Sequence, residues 1–254
     1  MKKNYLLPLM ALMFLFLPTA FSRLYAQSSI IDQIQKSQPA IVTIVSEASG
    51  VYRSPEVNVA KNPKTGQVVA AHHLAKASYQ RYGAGVVVHP AGIIVTNAHT
   101  VTKADHIQVI LADNTRLPAK VINLIDNLDL ALLKIDPPAP MPYVTIADSD
   151  KLELGQEVIT VGNSQYLKQT ISGGKIIGLG TNRTQQTQGK KRTDLIQTTI
   201  NIYQGDSGGP LFDKEGNLIG LMTAKESRSI RSSFAIPSNK IIKYLATYLN
   251  ELPQ

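Results

Sequence analysis

Along most of the chain, apolar positions come in short runs rich in Val and Ile, each closed by Gly, Pro or a polar cluster. Such runs predict β-strands. They are too brief for the three- and four-residue recurrence of an amphipathic helix, and β-branched side chains fit a pleated sheet. In the first half the predicted strands cover 40–45, 85–88, 93–96, 106–111, 116–124 and 130–135. Between the first two, residues 48–80 scatter Pro55, Pro63, Gly66 and many polar positions among weak apolar signals, which predicts a long loop excursion. Asp136-Pro137-Pro138-Ala139-Pro140 breaks any regular element and marks a boundary between two halves.

The second half repeats the style, with predicted strands at 157–161, 174–179, 194–200, 218–223 and 233–236. Only the end changes period. After Ser238, a candidate N-cap, Ile241, Ile242, Leu245, Tyr248, Leu249 and Leu252 recur at helical spacing and make one apolar face. Two sets of about six short strands followed by one helix predict an all-β chain: two six-stranded antiparallel β-barrels with a C-terminal helix, since closing a sheet removes its exposed edges. The expected organisation is an export segment over 1–26, a first barrel subdomain over 27–140, and a second with the terminal helix over 141–254.

Composition narrows this picture. With 254 residues, 43% of them hydrophobic, the chain has enough apolar surface for a core, which excludes disorder throughout. Met1-Lys2-Lys3, the apolar run from Tyr5 to Phe21 and the small residue Ala26 read as a signal peptide cleaved after Ala26. The same run would otherwise serve as an inner-membrane anchor; in either case the remainder is exported, to a bacterial periplasm or beyond it. The absence of Cys excludes disulfides, thiolate metal sites, a cysteine nucleophile and a lipid anchor on cysteine. The net charge of +8 falls to +5 once Lys2, Lys3 and Arg23 of the signal are left out, with 23 basic against 18 acidic residues. Lys190-Lys191-Arg192 has no interleaved aromatic residues and reads as a solvated loop, so no nucleic-acid partner is expected. No motif calls for a nucleotide, a flavin or a metal, and no cofactor is expected.

The strongest chemical signal is Gly205-Asp206-Ser207-Gly208-Gly209-Pro210-Leu211. A serine hydroxyl is a poor nucleophile until a base takes its proton, and the oxyanion that it creates needs donors beside it. Flanking glycines allow a tight turn, so Gly205, Asp206 and Ser207 form the expected oxyanion hole, with the amides of Gly205 and Ser207 as donors. Taken alone, the segment reads equally as a glycine-rich hairpin turn. His99 follows an apolar strand in Thr96-Asn97-Ala98-His99, where a side chain is firmly held yet reaches a cleft; His72, His73, His89 and His106 lack that setting. Asp129 stands at the mouth of the apolar run Leu130-Ala131-Leu132-Leu133, where a carboxylate needs partners to offset its desolvation, and an imidazole N–H is one such partner. Asp126 competes for the same role.

Thr96-Asn97-Ala98-His99, then Asp126-Asn127-Leu128-Asp129-Leu130-Ala131, then the glycine-flanked Ser207 resemble the HtrA (Deg) branch of the trypsin-like serine proteases. The likeness extends to Gly83-Ala84-Gly85, Val158-Ile159-Thr160-Val161-Gly162-Asn163, Gly216-Asn217-Leu218-Ile219-Gly220 and Phe234-Ala235-Ile236-Pro237-Ser238. It implies a serine endopeptidase acting on polypeptides in a cleft between the barrels. Ser207 is then the nucleophile, His99 the general base and Asp129 the residue that orients it. The resemblance also implies that the strand Thr223-Ala224-Lys225 pairs with substrate, and that the protein assembles as a trimer. A protease domain without an appended PDZ domain is expected. The chain departs from the family ahead of the serine, where relatives read Asn-Pro-Gly-Asn and this chain reads the two-residue-longer Asn201-Ile202-Tyr203-Gln204-Gly205-Asp206, so a binding or chaperone-like protein that is inactive at rest and switched on by a ligand is the alternative. With no acidic residue between Ile200 and Gly205, the side chain accepted before the cut is expected to be small or medium and apolar, and Arg228 and Arg231 read as solvent-facing loop charges.

Overall fold

The computed structural model describes residues 32, 34–61, 63–66, 68–162, 169–184, 191–225 and 232–250. The expected signal over 1–26, Arg228 and Arg231 lie outside these residues.

Seven strands of the first half form one antiparallel sheet: β1 (Ile41–Lys61), β2 (Val68–His89), β3 (Ile93–Asn97), β4 (His106–Ile110), β5 (Arg116–Pro118), β6 (Lys120–Ile125) and β7 (Leu130–Lys134). Their order is β5-β4-β1-β2-β3-β7-β6, and one helical turn, α1 (Ala98–Val101), follows β3. In place of the expected six-stranded barrel the first half is a seven-stranded sheet whose two edge strands, β5 and β6, are separated along the chain only by Ala119. The reason lies at Pro118. What reads as one strand over 116–124 splits there, because proline has no N–H to give a ladder. The next amide, Ala119, donates to Ile107 O at 2.9 Å, so β5 pairs with β4 and β6 with β7.

The loop expected over 48–80 is also corrected. β1 and β2 form one long hairpin, paired from Ile41↔Val86 out to Lys61↔Val68. Its register breaks once, between Arg53 and Val57, and Pro55 falls in that break, where no ladder amide is required.

The second half is a closed barrel of six strands: β8 (Glu157–Gly162), β9 (Thr170–Thr184), β10 (Lys191–Thr198), β11 (Pro210–Phe212), β12 (Leu218–Lys225) and β13 (Ser233–Pro237), in the order β10-β13-β12-β11-β8-β9. Helix α2 (Ser238–Asn250) follows. Ile241 and Leu245 of α2 are buried, with Tyr244, Tyr248 and Leu249 packed beside them, but Ile242 is exposed. Ser238 does not cap the helix from outside. It is the first helical residue, and its hydroxyl donates to Ala147 O at 2.6 Å. Neighbouring Asn239 exchanges hydrogen bonds with Ser149, accepting from its amide and donating to its Oγ, and its side-chain amide reaches Asp148. That amide and the Asp150 N–H hold the exposed Asp148 carboxyl below its ordinary range.

One hydrophobic cluster joins the halves, with Val87, Ile94 and Leu132 in the same body as Val161, Phe212, Leu221 and Ile236. β3 and most of β7 are buried on both faces, which explains why their sequences are continuously apolar rather than alternating. Full burial of a side chain such as Phe212 contributes about 1.5–3 kcal/mol. The segment after β7 is extended and tied first to one half, Val144 N to Val87 O at 3.1 Å, then to the other, Leu218 N to Thr145 O at 2.8 Å. The halves also meet at the residues singled out above, through Thr223 on Asp129 and Ala84 on Ser207. Among the described residues, no helix is long and apolar enough to cross a membrane.

Candidate active site

His99 sits in α1, a single turn that a helix of this length cannot sustain by its own hydrogen bonds. It is held from outside. Ala98 N and Asn97 Nδ2 both donate to the carbonyl of Asp129, at 3.0 and 3.1 Å, and Asn97 pairs with Leu130 across β3 and β7. Asp129 closes the turn between β6 and β7 with φ of 61°, a left-handed conformation that aspartate tolerates better than most residues. The turn directs its side chain inward, leaving the residue 1% exposed.

Donors from His99 and Thr223 meet the Asp129 carboxylate. The His99 amide donates to Oδ1 at 3.0 Å, the His99 ring presents Nδ1 at 3.0 Å from Oδ1 and 2.9 Å from Oδ2, and Thr223 Oγ1 donates to Oδ2 at 2.5 Å. Removing a carboxylate from water costs several kcal/mol unless such bonds replace its hydration. With the carboxylate at Nδ1, the proton is assigned there and Nε2 is left as the accepting nitrogen. The His99 side chain is 46% exposed, open to a reacting partner while its far side is pinned. Asp126, the competing carboxylate, is exposed, and its carbonyl accepts the Asp129 amide at 3.3 Å.

Thr223, expected only as part of the strand whose backbone pairs with substrate, also turns its hydroxyl onto Asp129. The pairing of β12 with β13 shifts register between Met222 and Ala224, and a bulge of this kind re-aims a side chain. Ala224 and Lys225 pair with Phe234 and Ser233 of β13. The available sequence signal was a lone hydroxyl inside the apolar run from Leu218 to Ala224. Thr223→Val, which keeps the shape and removes the donor, is expected to lower kcat about 10- to 100-fold on a peptide substrate, in line with about 1.5–3 kcal/mol for a hydrogen bond to a charged group.

Ser207 is half-buried in the turn between β10 and β11. Its carbonyl accepts the amide of Ala84 in β2 at 2.8 Å, and the Gly208 amide donates to Met222 O at 2.8 Å, directly before Thr223. A Cβ on Gly208 would lie 2.1 Å from Ala84 O and 2.5 Å from Thr96 Oγ1, and φ there is 84°, so only glycine brings the turn this close to β2 and β3. Gly83, next to Ala84, packs on Thr100, the residue after His99. The serine turn and the histidine turn thus share one support.

Gly205 has φ of 100°. Asp206 is buried, accepting the Tyr203 amide at 2.8 Å on Oδ2 and returning its own amide to Tyr203 O at 3.1 Å. This reciprocal pair shapes the loop and uses the Asp206 amide, leaving Gly205 and Ser207 as the donors of the expected oxyanion hole. Neither of those two amides donates to an acceptor among the described residues. The Asp206 carboxylate lies against Gly162, where a Cβ would come 2.0 Å from Oδ1. Among the described residues, no hydrogen bond joins Ser207 Oγ to His99. His99, Asp129 and Thr223 form one bonded cluster, and Ser207 is seated beside it through backbone contacts. No group of metal-ligating side chains occurs among the described residues.

The trypsin-like peptidase domain profile matches residues 83–221. The chain is 34% identical over 230 residues to serine protease HTRA1A of Danio rerio, across 90% of this chain and 43% of that protein. It is 31% identical over 227 residues to a protein of Haemophilus influenzae described as a probable periplasmic serine protease do/HhoA-like, across 84% of this chain and 48% of the relative. The chain therefore spans less than half the length of either. Among solved structures, the HtrA-type protease AlgW with a tripeptide superposes with a TM-score of 0.67 at 27% identity, covering 86% of this chain and 62% of that one.

Proposed function

We propose, from the premise that this chain belongs to the trypsin-like peptidases and has HtrA-type serine proteases as relatives, that it hydrolyses peptide bonds of exported or misfolded polypeptides through Ser207, His99 and Asp129. The observation that carries this reading is the buried Asp129 carboxylate on His99 Nδ1, with Ser207 held on the strand that supports the histidine turn.

In the proposed reaction a substrate carbonyl approaches Ser207, and Oγ forms the new C–O bond as its proton passes to His99 Nε2. The resulting imidazolium is stabilised by Asp129. Negative charge develops on the carbonyl oxygen, where the amides of Gly205 and Ser207 supply donors; one such donor is worth about 2.7–4 kcal/mol in the transition state. Collapse breaks the C–N bond, and the proton on Nε2 leaves with the amine. Water then attacks the acyl-enzyme with His99 as base again. The Ser207–His99 hydrogen bond forms as substrate aligns the two groups, since catalytic bonds are often made only in the bound complex.

Pairing of an extended substrate along the Thr223–Lys225 segment supplies backbone affinity by strand addition. A periplasmic setting is part of the proposal, supported by the relative of that description and by the leading apolar segment. The test is a fluorophosphonate probe, which reacts only with an activated serine. Stoichiometric labelling of Ser207 that disappears in His99→Ala is expected. Labelling elsewhere, or none in the wild-type chain, contradicts the assignment.

A further inference from the structure

The carbonyls of α1 show how the histidine turn is fixed on its second side. Ala98 O accepts from Thr102 N at 2.8 Å and from Thr102 Oγ1 at 2.7 Å, Thr100 O accepts from Ser46 Oγ, and Val101 O accepts from Ala104 N. The remaining one, His99 O, and the carbonyl of Thr102 just after the turn both go to one side chain: Arg81 of β2 donates from Nη1 at 2.8 Å and from Nη2 at 2.7 Å. The guanidinium carbon lies 5.4 Å from the centroid of the Tyr79 ring, which steadies the fork from the solvent side.

We propose that Arg81 is a positioning residue for His99, a refinement that rests on the enzymatic reading above. The direction of a side chain is set by the two peptide groups flanking its Cα. At His99 the preceding group is fixed by Asp129 through the amide, and the following group is fixed by Arg81 through the carbonyl. Releasing the second anchor lets the Thr100–Thr102 end of the turn rotate and swings the imidazole away from the serine. Charge-assisted bonds are about twice as strong as neutral ones, and a planar guanidinium is pre-organised to serve two carbonyls, losing less freedom per bond than an ammonium on a flexible stem. A displacement of about 1 Å at a reacting group costs on the order of 100-fold in rate.

The test uses the full chain with Arg81→Ala and Arg81→Lys, reading kcat and KM on a peptide substrate, thermal stability, and the His99 imidazole signals by NMR. Arg81→Ala is expected to lower kcat about 10- to 100-fold with KM within about twofold, to split or broaden the His99 ring signals, and to regain part of its kcat with added ethylguanidine. Arg81→Lys, whose compact, strongly hydrated ammonium lacks the planar fork that matches the two carbonyls, is expected to fall between wild type and Arg81→Ala. Unchanged kcat and unchanged ring signals overturn the proposal, as does a loss that follows the folded fraction and does not respond to ethylguanidine. Where Arg81→Ala fails to fold, Arg81→Lys decides: lowered kcat with KM and stability kept supports the role, and wild-type kcat overturns it. A wild-type chain that turns over nothing contradicts the enzymatic reading instead, and the ring signals of the variants still decide on Arg81.

Discussion

Asp129→Asn is expected to lower kcat about 10⁴-fold while the chain stays folded. The substitution keeps the size of the side chain and the turn that directs it, so the oxygen that meets the His99 amide can be retained. The amide nitrogen then replaces Oδ2, where Thr223 now donates and His99 Nδ1 now approaches. A donor facing the ring nitrogen forces the other tautomer, with the proton on Nε2, and the nitrogen that should accept the serine proton is already occupied. The pair also loses the charge that stabilises the imidazolium. Steady-state kinetics with KM close to wild type, beside an unchanged thermal transition, is the expected pattern. A loss of less than about tenfold contradicts the role of Asp129.

Ser207→Ala is expected to have the largest effect, a loss of about 10⁶-fold or more in kcat, because no acyl-enzyme can form. What remains is the rate due to binding and the oxyanion donors, about 10³- to 10⁴-fold over water. The change is structurally mild. The Ser207 hydroxyl makes no hydrogen bond among the described residues, and the backbone bond of its carbonyl to Ala84 is kept, so stability is expected to change by no more than about 0.5 kcal/mol. That separation of activity from folding makes this the cleanest variant of the site.

Much of this was legible from residue order. Strands buried on both faces, such as β3 and β7, stand out as apolar runs closed by polar turns, and the second barrel with its terminal helix follows the same signal. The outer part of the β1–β2 hairpin does not stand out: residues 77–80 are exposed, and Pro55 reads as a strand breaker until the register break that accommodates it is seen. A single proline likewise hides the division of β5 from β6. In β9, exposed Ile171, Ile177 and Leu179 are interspersed with glycines, which shortened its predicted extent. At the site, the residue types suggested a nucleophile, a base and a carboxylate. Asp129 is favoured over Asp126 in the sequence because it abuts the apolar run directly; what residue order does not carry is the φ of 61° at Asp129, which aims its side chain inward while Asp126 is exposed. Thr223 and Arg81 were less accessible still. Thr223 reaches Asp129 across 94 positions, and Arg81 acts through two carbonyl groups that carry no side-chain identity at all.

The central claim is that Ser207, driven by His99 and Asp129, cleaves polypeptide chains. Its most direct test is incubation of the purified protein with an unfolded polypeptide, with the new termini read by mass spectrometry beside a Ser207→Ala control. Defined cleavage sites in the wild-type digest that vanish in the control are predicted, most of them following small or medium apolar residues. Cleavage that persists in Ser207→Ala, or an intact polypeptide with the wild-type chain at every pH tried, would contradict the account.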